Sequence, residues 1–145
     1  MRLKGILAIS GKPGLYKLVS QGRGTIIIES LADGRRMPAS ATSSISALEE
    51  IAMYTDTGEL QIREIMRRIA EKEDNGPAPD HKKTSSEETV SYFAGIVPDY
   101  DRARVYESHI RKLFQWYNIL QKAGMVSKET EEEEEDENAE NTGKE

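Results

Sequence analysis

The sequence predicts an α+β protein: a small antiparallel β unit, then a small helical domain and an acidic tail without structure. Three observations predict it. Short apolar runs over residues 15–20, 25–31 and 36–41 alternate with the turn signals Gln21-Gly22-Arg23-Gly24 and Ala32-Asp33-Gly34-Arg35, the pattern of a three-stranded meander. Apolar residues recur at helical spacing over 59–74, 85–97 and 108–123. Residues 127–145 hold ten acids and two lysines, with an unbroken acidic run over 131–137.

Taken in order, residues 3–9 form a short apolar segment compatible with a helical turn or a strand, and Gly11-Lys12-Pro13-Gly14 breaks it. Ile26-Ile27-Ile28 is β-branched throughout, which predicts a central strand covered on both faces. Pro38 cannot donate to a ladder, so the strand over 36–41 belongs at an edge. Residues 42–46 read as a polar loop. Residues 48–55, with Ile51, Met53 and Tyr54, read as a strand returning to the sheet, and Asp56-Thr57-Gly58 as a turn. Short strands closed by a turn of helix suggest a small SH3-like barrel. Ile62, Ile65, Met66 and Ile69 mark the first helix, over 59–74, which Gly76-Pro77 ends. The segment NGPAPDHKKT is a linker by composition. Ser85 and Glu88 form a capping box ahead of a stripe of Val90, Phe93, Ala94 and Val97. The last helix carries Ile110, Leu113, Phe114, Tyr117 and Leu120, with Gly124 as its cap. The expected division is a β domain over 1–75, a linker over 76–84, a helical domain over 85–126 around Phe93, Phe114 and Trp116, and a disordered acidic tail over 127–145.

The net charge of −6 belongs to the tail; the preceding residues carry a net charge of +2. The first 37 residues hold Arg2, Lys4, Lys12, Lys17, Arg23, Arg35 and Arg36 against Glu29 and Asp33. Clustered cations on a small barrel are a platform for phosphate backbones, although Tyr16 is the one aromatic there and base stacking has little support. A solvated basic face is the plainer reading. The acidic tail reads as a solubility feature, or as a competitor of polyanions for that face.

Several chemistries are disfavoured. There is no cysteine, hence no disulfide, thiolate nucleophile or zinc finger, which fits a reducing, cytoplasmic setting. No apolar run approaches the roughly 20 residues of a membrane span. Gly11-Lys12 fails as a phosphate loop, because Ile6 stands where the first Gly belongs and Pro13 where a Ser or Thr belongs. His81 and His109 are far apart in sequence, which argues against a metal site. Asp99 and Asp101 flank Tyr100; paired carboxylates can do acid–base work, but near a helix start they more often cap it. Trp116 stands off the core stripe of its helix and faces the barrel or a partner.

The segments SGKPGLYKLVSQGR, IIIESL, IAMYTD and KLFQWYNILQKAG, in this order and spacing, resemble a family of uncharacterised proteins found mainly in Bacteroidetes-type bacteria. The resemblance spans residues 3–126. It implies an SH3-like β domain followed by a helical domain and transfers no catalytic or binding residue.

The functional expectation is a non-enzymatic binding or adaptor module without cofactor or metal. Its binding residues would be Lys12, Lys17, Arg23, Arg35 and Arg36 on the β face, contacting nucleic acid or another polyanion. The alternative is a protein–protein interaction module using Trp116 and the aromatic helical domain. A small enzyme using Asp99, Asp101 or His109 is the third reading.

Overall fold

The computed structural model describes residues 1–40, 42–130 and 132–134. The meander is present. Strands β1 (Ile6–Ile9), β2 (Tyr16–Gln21), β3 (Thr25–Ser30), β4 (Arg36–Ser40) and β5 (Ile45–Ala47) form one antiparallel sheet in the order β4-β3-β2-β1-β5. Its alternation follows from the strand period of two. Ile26 and Ile28 point inward and are buried, while Ile27 is half-buried. The expectation that the Ile triplet is covered on both faces therefore holds for one face only. Pro38 lies in β4, an edge strand, as expected. A bulge between Leu18 and Ser20 leaves Leu18 and Val19 exposed.

Four expectations need correction. The loop expected over 42–46 contains most of β5, whose Ile45 pairs with Ile9 and whose Ala47 pairs with Leu7; a strand of three residues has no period to read. Residues 48–55 do not return to the sheet. A 3₁₀ turn at Leu48–Glu50 plugs fully buried Leu48 into the core. The chain then forms a separate hairpin of β6 (Ala52–Thr55) and β7 (Gly58–Gln61). The first helix, α1 (Ile62–Lys72), accordingly begins after β7 rather than at residue 59. No closed barrel is found among the described residues, since β4 and β5 are the two free edges of the sheet.

Helices α2 (Ser86–Ile96) and α3 (Glu107–Lys122) match the remaining helical patterns. Ser85 caps α2 by accepting the Glu88 N–H at 3.1 Å. The buried stripe of α2 is offset from the expected one. Val90 is exposed, and Thr89, Phe93, Ile96 and the following Val97 are buried. Thr89 tolerates burial because its hydroxyl donates to the Ser85 C=O at 2.8 Å.

The main core packs Met1, Leu3, Ile6, Leu15 and Leu48 against the buried faces of α1, α2 and α3. A second cluster, Ile9, Tyr16, Ile26, Ile28 and Ala39 with Met37 and Ile45 packed on it, draws on all five strands of the sheet. The segment expected as a linker is tied to α3. Asn118 bonds Ala78 and Pro79, Tyr117 donates to the Gly76 C=O at 2.7 Å, and Arg111 donates to the His81 C=O at 2.6 Å. Of the acidic segment, residues 127–130 and 132–134 lie against α1 and the N-terminus. The Lys128 ammonium pairs with Asp74, Arg67 donates to the Lys128 C=O, and the Met1 amine pairs with Glu134. The expectation for residues 131 and 135–145, and for residue 41 at the end of β4, falls outside the described residues. Among the described residues, no helix is long and apolar enough to cross a membrane.

Candidate functional site

The basic residues expected on the β face do not converge. Arg23 sits at the tip of the β2–β3 hairpin and Arg35 beyond the opposite end of β3, roughly 17 Å of strand apart. Lys17, Glu29 and Arg36 are register partners in one row across β2, β3 and β4. Arg36 donates to Glu29 at 3.3 Å, and Arg35 lies 3.8 Å from Asp33. Exposed pairs of this kind contribute little stability, but they interrupt the positive row that a phosphate backbone would follow.

Lys12 is elsewhere. The tight turn after β1, with the Lys12 N–H donating to the Ile9 C=O, folds it toward α3. There it lines a groove with Trp116, so two of the six expected binding residues come together. The groove consists of two abutting cavities that share Ile51 and Trp116. One, of about 190 Å³, lies between β6 and α3 and is walled by Met53, Tyr54, Arg104, Val105, His109 and Leu113. The other, of about 200 Å³, lies between the end of β1 and α3 and includes Lys12, Ser44 and Lys112. Each is smaller than the usual small-molecule pocket.

The groove is aromatic and cationic. Tyr54 is 43 % exposed. The Arg104 guanidinium stands 4.9 Å from the Tyr54 ring centroid and the Lys112 ammonium 5.8 Å from that of Trp116, distances at which a cation is held by the ring quadrupole. The His109 ring stacks on Tyr106 and its Nδ1 accepts the Tyr106 N–H at 3.1 Å, which leaves Nε2 to carry the proton of the neutral ring. Among the described residues, no carboxylate lines either cavity. Arg104 is shared with Asp101 at the rim, at 3.5 Å. Among the described residues, Lys12 and Lys112 have no ion-pair partner.

Of the residues expected from the sequence, Trp116 and Lys12 line these cavities, Lys12 away from the β face on which it was expected; Tyr54, Arg104 and Lys112 line them too and were not among the expected binding residues. A signal existed for part of this set: His109, Lys112 and Trp116 are spaced three and four apart, a second stripe beside the core stripe of α3. The other members come from segments that only the fold brings together.

Of the other candidates, Asp101 bonds through its carboxylate, and Asp99 and His81 through backbone carbonyls. The Asp99 C=O accepts the Asp56 N–H, and the Asp101 carboxylate accepts the Ala103 N–H at 2.9 Å. His81 offers its C=O to Arg111. Among the described residues no three His, Cys, Asp or Glu converge as a metal set. The buried Tyr117 hydroxyl is pushed up to about 12, mainly by desolvation, with Glu73 adding to it, so it stays a hydrogen-bond donor.

Two family models match the chain. Residues 3–48 match a domain of unknown function (DUF5606), and residues 51–120 match another (DUF6852). The chain is 44 % identical to a Bacteroides vulgatus protein whose solution NMR structure comes from the Northeast Structural Genomics Consortium. The match covers 87 % of this chain and 90 % of that one, with a TM-score of 0.72. No curated protein matches. The chain belongs to the family of that Bacteroides protein, an uncharacterised family in which the two domains of unknown function follow one another.

Proposed function

We propose that this protein is a non-enzymatic protein-binding module whose docking site is the groove at Trp116. The observation that carries the reading is a pair of cavities that share Ile51 and Trp116 and are lined by Tyr54, Arg104, Lys12 and Lys112 and, among the described residues, by no carboxylate. Half-buried aromatics beside arginine and lysine are the groups that carry binding energy at protein interfaces. The β unit serves as scaffold. Its strand order, and the cluster to which all five strands contribute, support a curled sheet of SH3-like type. The absence of cysteine supports action in the cytoplasm.

A second reading, polyanion binding on the β face, rests on Lys17 and Arg23, which have no ion-pair partner among the described residues. One experiment separates the two. A photo-crosslinking residue is placed at Gln115 on the groove wall, or at exposed Gln21 beside the β2–β3 turn as control, and irradiated in the native host. The groove reading expects a nuclease-resistant protein adduct at Gln115 that Trp116→Ala abolishes. Adducts confined to Gln21, sensitive to nuclease and lost when Lys17 and Arg23 are reversed in charge, overturn it.

A further inference from the structure

The backbone of β6 adds a feature that side chains alone do not show. The Ile62 N–H donates to the Ile51 C=O at 2.9 Å, on the side of β7. Strand polar groups alternate in direction, so Ala52 and Tyr54 direct theirs to the opposite side. Bonding there confirms the parity: the Tyr54 C=O accepts the Asp101 N–H at 3.0 Å, and the Asp56 N–H donates to the Asp99 C=O at 2.9 Å. Tyr100 is thus a one-residue partner for Thr55. Beyond Asp101 the chain folds into a turn in which the Arg104 and Val105 N–H groups donate to the Asp101 C=O. Among the described residues, the Tyr54 N–H and both polar groups of Ala52 have no backbone or side-chain partner on that side. The open length of edge faces the cavity walled by Val105, Leu113 and Trp116.

Open edges are normally blunted. The β4 edge carries Pro38 and exposed Arg36, and the β5 edge is three residues long. Ile51 to Tyr54 carries neither proline nor charge. The geometry points to strand addition: an extended segment of a partner protein, with acidic residues alternating with apolar ones, pairs with β6 at Ala52 and Tyr54. Its apolar side chains enter the cavity beside Trp116, and its carboxylates meet Lys12, Lys112 and Arg104. This rests on the groove being a protein-docking site. It commits the partner to acidic chemistry because the lining offers cations and, among the described residues, no carboxylate.

The test selects random 12-residue peptides from a display library on the full chain. A synthesised winner is then titrated against wild type, Ala52→Pro, Lys112→Glu and Trp116→Ala. Ala52→Pro removes a donor on the open side and leaves the β6–β7 ladder intact; circular dichroism checks its fold, and exposed Lys112 supplies a second variant that does not threaten it. Net-acidic winners with apolar alternation are expected. They should protect the Ala52 and Tyr54 amides from hydrogen exchange, lose binding to Ala52→Pro and weaken about tenfold with Lys112→Glu. Basic or proline-rich winners, no enrichment, or unchanged affinity for Ala52→Pro overturn strand addition. If such winners still require Trp116, the docking groove survives; if they ignore Trp116, it falls too. Protection of both amides in the peptide-free protein overturns the proposal in favour of a second copy if it depends on concentration, and of the chain's own acidic segment if it does not.

Discussion

Replacing Asn118 with Ala tests how the segment at Ala78 and Pro79 is held on α3. The Asn118 side chain accepts the Ala78 N–H at 2.7 Å and donates to the C=O groups of Ala78 and Pro79 at 3.2 and 3.3 Å. Ala78 is 7 % exposed, so its orphaned N–H meets little water and costs about 1–3 kcal/mol. The bonds to the two carbonyls are the longer ones and together add about 1 kcal/mol. Alanine returns roughly 0.5 kcal/mol of helix propensity. The net loss is about 2–3 kcal/mol, a fall in Tm of about 6–12 °C for a chain of this size. Urea and thermal unfolding by circular dichroism read the loss, and hydrogen exchange at the Ala78 amide reads its local origin. Gln121→Ala is the control. Its amide donates to the Asn75 C=O at 3.4 Å on an exposed surface, and it should lose under about 0.5 kcal/mol. An Asn118→Ala loss no larger than the control's, with Ala78 still protected, would refute the anchoring argument.

Three further outcomes follow from neighbouring contacts. Thr89→Val should stay within about 0.5 kcal/mol of wild type in urea unfolding, because the Ser85 C=O it abandons still accepts the residue-89 N–H at 2.9 Å; a larger loss would mean that the hydroxyl is needed. Tyr117→Phe should cost about 1–2 kcal/mol, since nothing replaces its donation to the Gly76 C=O, and the wild-type phenol should not ionise below pH 11 without unfolding. Glu64 is held below the usual carboxylate range, chiefly by its hydrogen bond from Arg67, with Arg68 assisting. A depressed folded pKa stabilises above the unfolded value near 4.5 and is lost as pH falls through the folded one. The gap between wild type and Glu64→Gln in urea midpoint should therefore be wide at pH 7 and narrow by pH 3; a gap that widens on acidification contradicts the pairing.

What the sequence revealed was local. Strands β2, β3 and β4 are joined by Gly-containing turns and could be read in place, and α1 and α3 show their 3.6-residue period over several turns. The elements that escaped reading owe their state to partners distant in sequence. Ile45 is a strand residue because Ile9 lies beside it. Residues 59–61 are helix-compatible, yet the two-residue turn at Asp56-Thr57 locks them into register with β6. The same division holds at the site. Trp116 was visible because it breaks its own helix's stripe, whereas Tyr54 and Arg104 join it only through the pairing of Thr55 with Tyr100. Lys12 was misplaced because a turn residue's direction is set by what packs around it.

The two family matches meet between residues 48 and 51, at the 3₁₀ turn, and the groove straddles that junction. Lys12 and Ser44 come from one side; Ile51, Lys112 and Trp116 come from the other. The core straddles it as well. Leu3, Ile6, Leu15 and Leu48 are 1 % exposed or less, and all belong to the cluster built with α1, α2 and α3. A chain ending at residue 50 would bare these four side chains, at about 1.5–3 kcal/mol each, a sum comparable to the whole stability of an ordinary domain. It would keep only the small five-strand cluster centred on Ile28. Residues 1–50 alone should therefore give poorly dispersed amide spectra and no cooperative melt, and adding residues 51–130 as a separate chain should restore both. A cooperative melt of the isolated segment would show that the β unit stands on its own core, and that the groove is a joint between two finished bodies rather than a feature of one.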